Sequence, residues 1–287
     1  MVMAGKRALV IVKGGGELGT AVAHRLFKEG FRVVITEVEK PRAERRLVCF
    51  AEAVYEGEHS VEGVTARKAE NLDEVRRILK EGKIPVLIDP EGKLASQLKP
   101  DIVVDARMAK RNLGTSRDEA KIVVGLGPGF KAGVDVDVVV ETKPGLKAGE
   151  VVLEGEALPH NGVPYALSGY TFERLLVAPA SGRFKAFKRL GDRVKAGEAV
   201  GEVGGRQVKS RISGVILGLV HDGVEVEEGR KLGDVMPEEA VREAEEMMKL
   251  RGLPSNSYLY MVGERAWRVA EGVLKAIRMF EERLKEG

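Results

Sequence analysis

The chain has 287 residues, 44% of them hydrophobic, which allows one or two ordinary domains. Its 47 lysines and arginines nearly balance 44 aspartates and glutamates, so we predict no nucleic-acid partner. No apolar run reaches the ~18–20 residues that cross a bilayer, so we expect a cytoplasmic protein with no membrane partner. Its one cysteine, Cys49, excludes an internal disulfide.

The first predicted element is a βαβ unit between residues 7 and 37. An apolar strand leads into Gly14, Gly16 and Gly19, which form a GxGxxG spacing. In this motif the three glycines serve a tight turn, close approach of a phosphate and close packing of the next helix. A second strand then ends at Glu37, near the place where a carboxylate meets a ribose hydroxyl. We predict a Rossmann-like unit that binds a dinucleotide or a related phosphate ligand.

Three arginines that follow Glu37 leave the form of the nucleotide open. Glu37 would favour a 2′-hydroxyl, whereas Arg42, Arg45 and Arg46 would accept a 2′-phosphate or lie on a solvated helix face.

Alternating helices and strands follow this unit. Asn71 is expected to cap a helix, and the later strands are apolar almost throughout, as parallel sheets require. The predicted strands lie at 60–66, 84–88, 101–105, 122–124 and 136–140. The predicted fold is therefore α/β, with a Rossmann-like, mostly parallel sheet over residues 1–142.

Ligands of open α/β sheets bind outside the carboxyl ends of the strands. Cations follow the strand 101–105, and a glycine-rich loop that could form an anion nest follows 122–124. The candidate cofactor-binding residues are Gly14, Gly16, Gly19, Glu37, Arg107, Lys110, Arg111, Asn112, Gly125, Gly127 and Gly129. The alternative is that these cations face water and these glycines only permit turns.

Familiar catalytic and metal-binding motifs, such as HExxH, CxxC and GxSxG, are absent from the sequence. We therefore assign no catalytic residue and no metal ligand, and whether the chain is an enzyme stays open. Cys49 is expected to be a buried, inert thiol, and His24 to be packed or solvent-facing. Asp135 and Asp137 point the same way on a strand, which suits either acid–base chemistry or a solvated edge.

A loop-rich connection, 143–171, leads to an internal repeat. Segments 181–203 and 213–235 align without a gap at an offset of 32 residues, which predicts two interlocking halves of a small β-barrel. Over residues 172–236 the repeat resembles the barrel-sandwich hybrid of biotinyl and lipoyl domains. Those domains carry a cofactor on a lysine of the central hairpin, which here is 203–206 and has no lysine. We therefore predict a structural or interaction module.

Helices are predicted for residues 237–287. Glu238 and Glu239 follow Pro237 in a favourable first turn. A second amphipathic helix is expected from about Gly263 to Leu284, with an apolar stripe that docks on another domain or subunit.

Several long motifs together resemble one protein family. They lie at 13–26, 36–41, 45–46, 50–57, 108–115, 125–130 and 132–135. Over nearly its whole length the chain is similar to the selenium-dependent molybdenum hydroxylase system proteins of YqeB type. The resemblance implies an accessory protein of molybdenum hydroxylase maturation, related in role to XdhC-type factors that bind molybdenum cofactor and help insert it into xanthine-dehydrogenase-like enzymes.

The resemblance implies molybdenum cofactor or molybdopterin dinucleotide as ligand and a molybdenum hydroxylase apoenzyme as partner. A pyrophosphate and a ribose suit the glycine loop and Glu37, but NAD(P) presents the same groups. An NAD(P)-dependent oxidoreductase, with Asp105 or Lys110 near the hydride, is the alternative function. The Lys/Glu-rich composition, with two glutamines, resembles that of a hyperthermophile protein. The sequence leaves open whether the chain forms a homo-oligomer.

Overall fold

The computed structural model describes residues 8–282, and the chain divides into two compact units. In that range the first unit contains 8–41, 49–161 and 262–282, and the second contains 42–48 and 162–261. The predicted boundaries differ from this division in three ways. The predicted connection 143–171 is divided, because 143–161 lies in the first unit and 162–171 in the second. Segment 42–48 lies in the second unit, and the C-terminal helices predicted as one group are divided between the units.

A large, mostly parallel sheet forms the centre of the first unit. The described strands of this unit are β1 (Leu9–Lys13), β2 (Arg32–Glu37), β3 (Glu58–Val61), β4 (Val64–Ala69), β5 (Ile84–Ile88), β6 (Ile102–Asp105), β7 (Ile122–Leu126), β8 (Lys131–Ala132), β9 (Val138–Val140), β10 (Val151–Val152) and β11 (Gly155–Glu156). Nine of these strands form one sheet in the order β10-β9-β7-β6-β1-β2-β5-β4-β3, with antiparallel strands only at its two edges. The part β5-β2-β1-β6-β7-β9 has the order of a doubly wound sheet, which reverses direction between β1 and β6.

Helices cover both faces of this sheet. The described helices are α1 (Glu17–Lys28), α2 (Ala53–Glu56), α3 (Leu72–Lys80), α4 (Lys93–Ser96), α5 (Glu238–Leu250) and α6 (Glu264–Met279). Helices α1 and α6 pack on one face, and α3 and α4 on the other. Asn71 caps α3 as predicted, because its side chain accepts the N–H of Glu74 at 2.9 Å. No helix within 8–282 is long and apolar enough to span a membrane.

The apolar stripe predicted for the last helix is buried within the first unit. Its residues Ala266, Ala270, Val273, Leu274 and Ile277 lie in α6, which packs on α1. The predicted stripe residue Leu284 lies outside the described residues.

Two antiparallel sheets make up most of the second unit. Its described strands are β12 (Leu175–Val177), β13 (Gly182–Ala186), β14 (Arg193–Val194), β15 (Ala199–Val203), β16 (Arg206–Lys209), β17 (Gly214–Leu219), β18 (Glu225–Val226) and β19 (Lys231–Pro237). The strand orders are β12-β19-β17-β14 and β16-β15-β13-β18. Helix α5 follows β19 directly, at the N-terminus predicted after Pro237.

The pairing of these strands confirms the internal repeat. Gly182 pairs with Val226, and the positions 32 residues away, Gly214 and Val194, pair in the same register. The same offset relates the β15–β16 pair to the β19–β12 pair, so the repeat extends to β12 and β16. Each half also contributes its short strand, β14 or β18, to the sheet of the other half. The two halves therefore interlock, as the repeat predicts.

Candidate functional site

The glycines of the GxGxxG spacing occupy three different environments. Gly14 has a φ of +95°, and a Cβ at Gly19 would lie 1.9 Å from the carbonyl oxygen of Gly14. A Cβ at Gly16, in contrast, would meet no atom within 4 Å. Gly14 therefore forms the turn, Gly19 allows close packing and Gly16 leaves its backbone open to a ligand, as the spacing predicts.

The N-terminus of α1 lies at this opening. Gly16 is its N-cap residue, and no side chain caps the helix. The first N–H groups of a helix have no partner within the helix and lie at the positive end of its dipole. This position therefore suits an anion such as a phosphate.

Two later loops lie beside the glycine loop, because β1, β6 and β7 are neighbours in the sheet. A Cβ at Gly14 would lie 3.2 Å from the Cα of Arg107, and a Cβ at Gly129 would lie 2.5 Å from the backbone nitrogen of Arg111. The structure thus brings together the three loops that contain most of the predicted cofactor-binding residues.

A network of charged groups joins the loop after β6 to the end of β1. Arg107 pairs with Asp105 at 2.5 Å, and the hydroxyl of Thr115 donates to Asp105 at 2.8 Å. Lys13 donates to Thr115 at 2.8 Å and pairs with Glu119 at 2.6 Å. Burial opposes ionisation of Asp105, but the hydrogen bonds and charge of Arg107 outweigh it and hold the pKa of Asp105 below its usual value. The roles of Lys13 and Glu119 were not predicted from the sequence.

The other predicted residues of this loop divide into two kinds. Lys110 and Arg111 are exposed, and among residues 8–282 their side chains make no hydrogen bond or ion pair. Asn112 instead holds the turn, because its side chain accepts the N–H groups of Gly114 and Thr115 and donates to the Thr115 carbonyl. Lys110 and Arg111 are therefore available to an anionic ligand, whereas Asn112 has a structural role.

The predicted anion nest after β7 needs a correction. Gly127 donates its N–H to the carbonyl of Val140 at 2.9 Å, so this donor is not available to a ligand. Gly125 lies within β7, where a Cβ would lie 2.5 Å from the ring of Phe130. These two glycines allow close packing, and Gly129 allows the contact with the loop after β6.

The glycine loop itself forms a hydrogen bond with the side chain of Glu37. Its carboxylate accepts the N–H groups of Gly15 at 2.6 Å and Val38 at 3.0 Å, and burial raises its pKa. Ala51 donates its N–H to the carbonyl of Gly15 at 2.9 Å, so the segment around Ala51 closes this side of the loop. A ribose would have to displace these contacts.

The arginines considered beside Glu37 belong to the second unit. Arg45 donates to the carbonyl of Met261 at 3.0 Å, and Arg46 donates to that of Leu219 at 2.8 Å. Glu44 pairs with Lys231 in the same unit. These contacts disfavour the alternative in which Arg45 and Arg46 accept a 2′-phosphate.

The burial of Glu37 predicts a pH dependence of stability. Because its pKa is raised in the folded state, the folded protein takes up the proton at a higher pH than the unfolded chain does. The free energy of unfolding should therefore decrease as the pH rises from about 4.3, the ordinary glutamate value, to the folded-state pKa. Glu37→Gln should remove this slope in urea unfolding, whereas Glu39→Gln at an exposed position should keep it. Equal slopes in both variants would contradict the assignment.

Arg265, in the first turn of α6, is a cation that sequence analysis missed. Its side chain is exposed to solvent, but desolvation by nearby protein atoms lowers its pKa, while the charges of Glu17 and Glu141 raise it. Glu17 begins α1 and Glu141 follows β9, so Arg265 lies near the carboxyl edge of the sheet. Within 8–282 it makes no hydrogen bond or ion pair. No local spacing links position 265 to the glycine loop, so the sequence held no signal for it.

The other residues considered for chemistry are buried, packed or paired with neighbouring side chains. Cys49 is buried, as predicted, and His24 packs its ring edge-to-face against Trp267 with 5.0 Å between ring centroids. Asp137 is buried and pairs with Arg117 at 3.0 Å. In the described part of the chain, no group of three or more His, Cys, Asp and Glu side chains could hold a metal ion.

The chain is similar to one curated protein. It is 40% identical over 271 residues to the uncharacterized protein YqeB of Escherichia coli strain K12, which is consistent with a YqeB-type family. The match covers 94% of this chain and 47% of YqeB, so the chain spans about half the length of that relative. No protein-family model matches the chain.

Similarity to solved structures is low. TcdA (CsdL) has a TM-score of 0.27 at 19% identity, covering 45% of this chain and 52% of its own. An aspartoacylase family protein of Mesorhizobium loti has a TM-score of 0.24 at 15% identity, and the match covers 80% of this chain and 85% of that protein. These TM-scores support no conclusion about this chain.

Proposed function

We propose that this chain is an accessory protein of molybdenum hydroxylase maturation that binds molybdenum cofactor at the N-terminus of α1 and delivers it to a hydroxylase apoenzyme. The open backbone at Gly16 is the observation that carries the proposal, because it leaves the N–H groups of a helix start accessible to a phosphate. The resemblance to selenium-dependent molybdenum hydroxylase system proteins supports the choice of cofactor and partner. The 40% identity to YqeB agrees with this resemblance.

Cations near the glycine loop support an anionic ligand. Lys110 and Arg111 are exposed on the loop after β6, and Arg265 lies in the first turn of α6. An arginine in the first turn of a helix is unfavourable beside the positive end of the dipole. A bound phosphate at the start of α1 would offset this repulsion.

The geometry favours molybdenum cofactor with a terminal phosphate over the dinucleotide form, molybdopterin dinucleotide. A phosphate requires only the helix start, whereas the ribose of a dinucleotide requires the side of the loop where Glu37 and Ala51 contact Gly15. The same contacts disfavour the alternative function, an NAD(P)-dependent oxidoreductase. Bound molybdenum cofactor supplies the redox centre of the hydroxylase, and the residues of this chain would hold and orient it.

We assign contact with the hydroxylase to the second unit. Its interlocked β-strands support our interpretation as a barrel-sandwich hybrid that serves as a structural or interaction module. The hairpin between its halves turns at Gly204 and Gly205, where biotinyl and lipoyl domains carry their lysine. This unit would therefore act by contact rather than by carrying a covalently attached cofactor.

Charge reversal at Arg265 tests the cofactor site. In a host that makes molybdenum cofactor, Arg265→Glu should lower the pterin retained by the purified protein about tenfold or more. Arg111→Glu should also lower the amount of retained pterin, because it too places a negative charge beside the phosphate. Fluorescence of the oxidised pterin, released by denaturation, measures retention.

Arg268→Glu is the matched control on the same helix, since Arg268 is exposed and pairs with Glu264 at 2.7 Å. It should retain as much pterin as the unmodified protein. A protein that retains no pterin and does not co-purify with a molybdenum hydroxylase subunit would contradict the proposal.

A further inference from the structure

A cavity of about 530 Å³ lies in the first unit at the carboxyl ends of β1, β2 and β6, on the face that α3 and α4 cover. It forms because the connection from β6 to β7 contains only a short 3-10 helix, Arg117–Glu119, where a doubly wound sheet usually has a crossover helix. Ile11 and Val103 contribute its apolar surface. Its volume lies within the ~300–1,000 Å³ typical of small-molecule sites.

The charges around this cavity are paired. Lys13 pairs with Glu119 at 2.6 Å, and Lys93 pairs with Glu91. The third cation, Arg107, pairs with the buried Asp105. The lining therefore offers hydrogen-bond donors and acceptors with little net charge, unlike the start of α1. Such a lining suits an uncharged polar ligand better than a phosphate.

Donors and an acceptor stand next to each other on this lining. Glu119 is a carboxylate acceptor, and Lys13 and Arg107 are donors, while Ile11 and Val103 can contact the face of a flat ring. A ring edge that presents N–H donors beside a carbonyl oxygen matches this arrangement. The 2-amino-4-oxopyrimidine edge of pterins and guanine has that pattern.

We propose that the cavity binds an uncharged fused heterocycle with a 2-amino-4-oxopyrimidine edge. The N–H groups of the ring donate to Glu119, and its oxo group accepts from Lys13 or Arg107. Lys13 directly precedes Gly14, so a ring in the cavity and a phosphate at the start of α1 can belong to one molecule. The proposal deepens the proposed function and rests on it for the preference of a pterin over guanine.

Calorimetric titration with phosphate-free compounds tests the cavity separately from the phosphate site. We expect 6-hydroxymethylpterin or guanosine to bind with one-to-one stoichiometry, and adenosine, which lacks the edge, to bind at least about tenfold more weakly. Whichever of the two binds more tightly identifies the source of the ring. Equal binding of adenosine, or no binding of either compound, overturns the proposal.

Two variants locate the binding. Ser96 lines the cavity, so Ser96→Trp should fill it and weaken binding at least about tenfold. Gln97→Trp, at the exposed neighbouring position outside the lining, is the matched control. Glu119→Gln should also weaken binding, while glutamine can maintain the capping box with Ser116. Unchanged binding to Ser96→Trp overturns the proposal.

The outcomes separate this proposal from the proposed function. A protein that retains cofactor in the cell but binds neither heterocycle overturns the assignment of the cavity alone. A protein that binds 6-hydroxymethylpterin but retains no cofactor in a producing host supports the cavity and counts against the proposed function.

Discussion

Gly19→Ser should destabilise the first unit by about 2–4 kcal/mol, because a Cβ at this position would lie 1.9 Å from the carbonyl oxygen of Gly14. The oxygen is backbone and cannot rotate away as a side chain would. Gly14 is itself held by its N–H, which donates to the Thr36 carbonyl at 2.8 Å. Urea unfolding followed by circular dichroism measures the loss.

Gly16→Ser is the matched control, since it adds the same side chain three residues earlier. Gly16 has a φ of −65°, which serine readily adopts, and the added Cβ meets open space. Serine is also a favoured N-cap residue, so stability should be unchanged or increase by up to about 1 kcal/mol. Pterin retention should nevertheless fall, because the hydroxyl occupies the helix N–H groups. Equal destabilisation by the two substitutions would show that our division of roles between the glycines is wrong.

Arg107→Met should destabilise the protein by about 2–4 kcal/mol at neutral pH. The side chain of Asp105 is only 2% exposed, and without Arg107 this buried carboxylate loses its ion pair. Arg111→Met, at an exposed position four residues later, is the control and should change stability by less than about 0.5 kcal/mol. The double variant Asp105→Asn/Arg107→Met should lose less than the sum of the two single changes, because neither charge remains unpaired.

The same ion pair should make stability depend on pH. The pKa of Asp105 is lowered in the folded state, so the unfolded chain takes up the proton first as the pH falls. The stabilisation by this group is therefore complete above about 4, the ordinary aspartate value, and is lost as the pH falls through the folded-state pKa. Arg107→Met should remove this acid-side loss in urea unfolding between pH 2 and pH 6. A variant that kept the full loss would contradict the assignment to Asp105.

Local spacing was enough to predict the roles of Gly14, Gly16 and Gly19, because the turn at Gly14 and the contact of Gly19 with Gly14 both lie within the motif. The repeat was equally readable, since its offset is constant along the chain. The predicted strand 60–66 was wrong in one respect, because β3 and β4 form a hairpin there. Glu62 and Gly63 have positive φ values of 44° and 78°, so the glycine was the signal of a turn.

Contacts between distant positions account for what the sequence did not reveal. Lys13 directly precedes the glycine motif, but its partner Glu119 is 106 residues away, and nothing near either residue indicates the other. Arg45 and Arg46 follow Glu37 closely in sequence, yet they bind backbone carbonyls of the second unit. Proximity along the chain therefore does not indicate what these two arginines bind.

The exchange of β14 and β18 between the halves of the second unit means that neither half has a complete sheet of its own. A peptide with the sequence of one half would leave a strand edge unpaired, and it could cover that edge only by taking the missing strand from another copy. The second unit is thus equivalent to a strand-swapped homodimer whose two subunits have been joined into one polypeptide.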